Sequence, residues 1–107
     1  MLIVSTPFVT GRENKDLITL GLVSGSVVQS KHIGRDIMAG LKTIVGGELK
    51  GYTEMLNEAR QTALARMSDM AAGMGADAVI MTSFATSAVM DGAAEIVAYG
   101  TAVKFAR

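Results

Sequence analysis

Hydrophobic and polar positions along the chain follow two periods, near two at the ends and near 3.6 in the middle. Leu2–Thr6, "LIVST", is rich in β-branched residues and predicts a first short strand that stops at Pro7, which cannot donate to a ladder. "GRENKD", residues 11–16, reads as a polar turn. Leu17–Ser30, "LITLGLVSGSVVQS", predicts a long strand, with Gly21 and Gly25 marking a bend, a bulge or a close backbone approach inside it. Ile33, Ile37, Leu41, Ile44 and Val45 stand at helical spacing and predict a short amphipathic helix ended by Gly46-Gly47.

The strongest periodicity begins at Tyr52. Steps of three and four run through Met55, Leu56, Ala59, Ala63, Met67, Met70, Ala71 and Met74, which predicts one long helix closed at Gly73 or Gly75. Two further strands are expected over residues 76–90 and 93–105, joined by a tight Asp91-Gly92 turn. On the last strand Ile96, Ala98, Gly100 and Ala102 form a small-residue face suited to a helix lying close. Val97, Tyr99, Thr101, Val103 and Phe105 form the other face. The predicted order is β-β-α-α-β-β, an α+β layer with one long helix on a largely antiparallel sheet. The 107 residues suffice for one domain, 1–107, and strands of about thirteen residues are long for it. Such strands are expected to protrude and pair with neighbouring subunits.

Composition adds constraints. Half the residues are hydrophobic, yet there is no tryptophan, and methionine and alanine take the place of aromatic bulk. A small domain with surplus apolar surface completes its burial against copies of itself, so a homo-oligomer is expected. Ten basic residues balance ten acidic ones, which disfavours nucleic-acid binding by phosphate neutralisation. The absence of cysteine excludes disulfides, thiolate metal sites and cysteine nucleophiles, and fits a cytoplasmic protein. No apolar run is long enough for a membrane span, and the N-terminal run lacks the basic flank of a signal peptide.

Candidate chemistry is sparse. Gly46 and Gly47 could offer amides to an anion, but "IVGGELKGY" has neither a phosphate-loop lysine nor dinucleotide-binding spacing, and a helix corner explains the glycines. His32 and Asp36, at i and i+4, with Glu48 as a third donor, are the candidate metal ligands, a set short of what zinc normally takes. Arg35 could grip an anion or join Asp36 in pairing between chains. Glu54 and Glu58 read as a solvated helix face, the methionines as core, and Asp77 as a turn or capping residue. No nucleophile–base constellation is visible, which points away from an enzyme.

The runs "GRDIMAGLKTIVGGELKGYTEML", "EARQTALARM", "GADAV" and "AAEIVAYGTAVKF", in this order, resemble the YbjQ-like family. The matching residues are Arg35, Asp36, Gly46, Gly47, Tyr52, Gly75, Asp77, Gly100 and Thr101. Glu48 departs from members that carry arginine after the glycine pair, which weakens an anion site at this corner. The resemblance implies a dodecin-like subunit assembled into a ring, a homopentamer, in a family that is itself uncharacterised and labelled heavy-metal-binding. It leaves a small ligand or a metal ion between subunits as the candidate cofactor. The alternative is an enzyme whose site forms between subunits around Arg35 and Asp36.

Overall fold

The computed structural model describes residues 1–30, 50–90 and 93–106. In chain order the elements are β1 (Leu2–Ile3), a 3-10 turn (Asn14–Asp16), β2 (Leu17–Ser30), α1 (Lys50–Gly73), β3 (Ala78–Met90) and β4 (Ala93–Phe105). The strands form one sheet in the order β1-β3-β4-β2. β4 runs antiparallel to both β2 and β3, and β1 adds to β3 in parallel. The expected helix over 33–45, the Gly46-Gly47 corner and the Asp91-Gly92 turn lie outside the described residues.

The first strand is shorter than Leu2–Thr6. Only Leu2 and Ile3 pair regularly, with Ala78 and Val79. Val4 and Thr6 still bond to β3, but irregularly: the Val4 N–H donates to the Val79 carbonyl (2.9 Å), and the Met81 N–H to the Thr6 carbonyl (3.0 Å). The cause is a bulge in β3 between Ile80 and Ser83, where Met81 adopts φ 54°. A β-bulge places two residues opposite one and disrupts the ladder locally.

α1 packs mainly on β2 and β4. Its buried positions are Ala59, Ala63, Met67 and Ala71, four residues apart, so they stack into one stripe. Beneath it lie Val23 and Val27 from β2, Ile96, Ala98 and Ala102 from β4, and Val79 from β3. The small-residue face of β4 is therefore the helix-covered one, as its sequence predicts. Leu56 and Leu64 close the flanks of this cluster. Of the methionines expected in the core, Met67 is buried in it, whereas Met55 is half-buried, Met70 48% exposed and Met74 39% exposed. Met70 precedes the buried Ala71 by one residue, about 100° round the helix from the stripe, and Met74 lies beyond the last helical turn.

Two glycines set this geometry. At Gly25 a Cβ would run into the Ala63 carbonyl oxygen and the Met67 backbone nitrogen, so the helix backbone rests directly on β2. Gly75, at φ 77°, ends α1. The Ala76 N–H reaches the Ala71 carbonyl (3.1 Å) and the Gly75 N–H the Ala72 carbonyl (3.0 Å), the paired bonds of a Schellman cap. Within β2 the register shifts between Thr19 and Gly21, confirming an irregularity at the first glycine.

Among the described residues the opposite face of the sheet is covered only at one end. Ala78 and Val103, paired across β3 and β4, are buried there, as is Val9. The Arg12 guanidinium stacks over the Phe105 ring at 4.1 Å, holding the N-terminal segment down.

Gly25→Ala should destabilise the fold by about 3 kcal/mol or more, because backbone rather than a movable side chain occupies the space. Gly11→Ala, at φ 85° with nothing near its Cβ, should cost only about 1 kcal/mol. Urea unfolding of both variants checks this. Equal midpoints would contradict direct helix–strand contact.

Candidate functional site

Every residue that the sequence offers for ligand or metal binding, His32, Arg35, Asp36, Gly46, Gly47 and Glu48, lies outside the described residues. Among the described residues no three of His, Cys, Asp and Glu come together to hold a metal ion. A resident metal therefore finds no fitting donor set there.

Asp77 is placed by the turn between α1 and β3. Its carboxylate accepts the Phe105 N–H (2.7 Å), and its own N–H donates to the Val103 carbonyl (2.9 Å). It therefore satisfies the end of β4, the capping role expected of it. Glu54 and Glu58 are exposed, as expected of a solvated face. The Thr62 hydroxyl donates back to the Glu58 carbonyl (3.0 Å), a bond within the helix.

One open recess of about 570 Å³ is lined by residues 2–6 and 8–10. Its side chains are aliphatic, aromatic or hydroxyl-bearing, and none titrates near neutral pH. The Thr6 hydroxyl is already engaged, donating to the Phe8 carbonyl (2.7 Å). The recess can hold apolar groups but offers no acid–base chemistry.

The uncovered part of the sheet's open face carries direct cross-strand rows. Ser24, Tyr99 and Ser83 stand side by side, and Ser26, Val97 and Ala85 form the next row. Tyr99 is 39% exposed and Leu22, nearby on β2, 71%. Three features have no signal in the sequence pattern. Arg66 reaches from α1 to the β2 edge, where its Nη1 donates to the Ser26 carbonyl (2.6 Å). Arg12 stacks on Phe105. The Thr82 hydroxyl is buried beside Gly100 with no hydrogen-bond partner among the described residues. Each depends on residues brought together from 18 or more positions apart, which local periodicity does not encode.

Comparison with known proteins decides the family. A family model described as "Putative heavy-metal-binding", YbjQ, matches residues 1–106. The chain belongs to the YbjQ family. Relatives within it include a UPF0145 protein of Photobacterium profundum, 62% identical and spanning 97% of this chain and 99% of that one. Another, from Clostridium novyi, is 56% identical over 97% and 98% of the two chains. Among solved structures, a protein of unknown function of the DUF74 family from Pediococcus pentosaceus superposes with a TM-score of 0.67 at 13% identity. The match covers 98% of this chain and 97% of that one. That similarity shows the α+β fold, one long helix on a mostly antiparallel sheet.

Asp77→Ala should remove the only side-chain acceptor shown for the Phe105 N–H. A stability loss of about 1–2 kcal/mol is expected, with faster amide exchange confined to the end of β4. Unchanged exchange at Phe105 would show that the carboxylate is not the cap.

Proposed function

We propose that this protein works in the cytoplasm as a homo-oligomeric ring of five single-domain subunits that holds a small ligand or a metal ion between subunits. The observation that carries the reading is exposed apolar surface. Twelve large hydrophobic side chains among the described residues stand 39–71% open in the single chain, Leu22, Val28, Phe84 and Tyr99 among them. Contiguous apolar surface marks interaction sites, and Leu22, Val28 and Tyr99 share the open face of the sheet. The number five and the ring come from the dodecin-like, YbjQ-like resemblance.

A site between subunits also accounts for the lack of a constellation within one chain. Its candidate residues are Arg35, Asp36, Gly46 and Gly47 for a ligand, and His32, Asp36 and Glu48 for a metal. The family description, heavy-metal-binding, supports the second. No group of three donors lies together among the described residues, which is compatible with a site completed by a second subunit. Turnover of a metabolite, abolished by Asp36→Ala with assembly intact, would replace this reading with an inter-subunit enzyme.

Native mass spectrometry of untagged protein purified without chelators tests the proposal. Five chain masses plus a stoichiometric added mass is the expected result, and a bare monomer would overturn it. If the added mass is a metal, His32→Ala should lower its occupancy. Unchanged metal content would remove His32 as a ligand.

A further inference from the structure

Among the described residues the sheet has two open edges, and hydrogen-bond direction identifies the groups along them. The Ala106 N–H points to β2, donating to the Asp16 carbonyl (2.8 Å), whereas the Phe105 N–H and the Val103 carbonyl point to Asp77 on the β3 side. Backbone groups alternate along a strand, so even-numbered β4 residues bond to β2 and odd-numbered ones to β3. The register then directs the backbone of Leu22, Ser24, Ser26 and Val28 outward from β2. The Arg66 bond to the Ser26 carbonyl confirms this direction. On β3, Ser83, Ala85 and Ser87 bond to β4, and Phe84, Thr86 and Ala88 face outward. Residues 2–6 cover the β3 edge only as far as Thr82.

Among the described residues these edges carry little of the usual protection. Neither β2 nor β3 contains a charged residue or a proline. Their bulges, between Thr19 and Gly21 in β2 and at Met81-Thr82 and after Ala88 in β3, lie outside the stretches Leu22–Val28 and Phe84–Ala88, and Arg66 alone reaches over β2 there. The two strands run in the same direction, since each is antiparallel to β4. Phe84 projects on the helix-covered side, beside buried Ala98, but α1 leaves it 42% exposed. That is the side from which Arg66 reaches the β2 edge.

The accessible area of the whole chain is 6979 Å², above the roughly 5,700 Å² expected for a globular chain of 11.2 kDa, which leaves room for a contact with another copy.

We infer that the free β3 edge at Phe84–Ala88 takes the β2 edge at Leu22–Val28 of a second copy of this chain, continuing the sheet from subunit to subunit. The inference rests on the homo-oligomeric reading and specifies its contact. The contact is heterologous, joining two different edges, so repetition by a closing rotation generates a ring. With the rotation axis along the strands, the joined edges run parallel. Arg66 stays on the Ser26 carbonyl, and its guanidinium meets the incoming Phe84 ring, a favourable cation–aromatic pairing. The outward groups of Leu22 and Ser24 on one side and Val28 on the other supply the ladder.

The chain has no cysteine, so introduced ones report cleanly. Ser24→Cys and Ala85→Cys lie on the open face of the two edges, both exposed. The double variant, treated with a short bis-maleimide, should give a ladder of covalent oligomers ending at the native subunit count. Each single variant should give none. Thr86→Pro removes an outward N–H while leaving the bonds to β4, and should raise the concentration for half-assembly at least tenfold. Arg66→Ala should raise it less. An assembled wild type whose double variant does not cross-link overturns the edge contact and leaves the oligomer standing. Dimers from a single variant overturn it in favour of like edges meeting. A monomeric wild type overturns the oligomer itself.

Discussion

The contact between the backbone of α1 and the backbone of β2 at Gly25 governs the rest of the molecule. Because no side chain separates them, the helix presents mostly small residues to the sheet there: Ala59, Ala63 and Ala71, with Met67 the large side chain buried among the described residues. The sheet answers with Ala98, Ala102 and the two valines of β2. The resulting core is thin. Its largest fully buried side chains, with those under the N-terminal segment, are Met67, Val23, Val79 and Val103. At about 25 cal/mol per Å² of apolar area, a core built from alanine and valine stabilises less than one built from leucine and phenylalanine. The bulky residues are instead left outside, on the sheet's open face and along its edges.

The N-terminal segment divides β3 into two functional lengths. Residues 2–6 occupy the first part of its edge, and the segment from Val9 to Arg12 closes the adjoining end of the open face through Phe105. The bulge at Met81-Thr82 falls where that cover ends. Bulges raise local twist and re-aim side chains, so the distal half of β3 leaves the cover of both α1 and the N-terminus. Asp77 fixes the opposite end by tying the first residues of β3 to the last of β4. One strand thus serves as interior at its start and as a free edge at its end.

Much of this was legible in the sequence, and the reasons differ between elements. The helix showed through its steps of three and four, and its end through Gly75, whose positive φ a side chain would resist. The helix-facing side of β4 showed because its alternate residues are small, and Gly25 because a strand interior rarely spends a glycine without a close approach. Spacing alone does not place Met70 and Met74, because a methionine at helical spacing fits either a core or its rim. The early end of β1 has no local signal, because the bulge that disrupts its pairing belongs to β3, far along the chain. Arg66 on Ser26 is 40 residues apart in sequence and invisible to any local pattern. The candidate site was the least legible part, since its residues all lie between β2 and α1 and no motif within one chain unites them. The family membership was carried by the combination of runs, each weak alone.

Pairing of the distal β3 edge between copies is tested most directly by amide hydrogen exchange read residue by residue. In the assembled protein the N–H groups of Phe84, Thr86 and Ala88 should be protected as strongly as those of Ser83, Ala85 and Ser87, which bond to β4. Dilution below the assembly range should release the first set and spare the second. Free exchange of the first three amides in protein shown to be assembled at the same concentration would contradict the account.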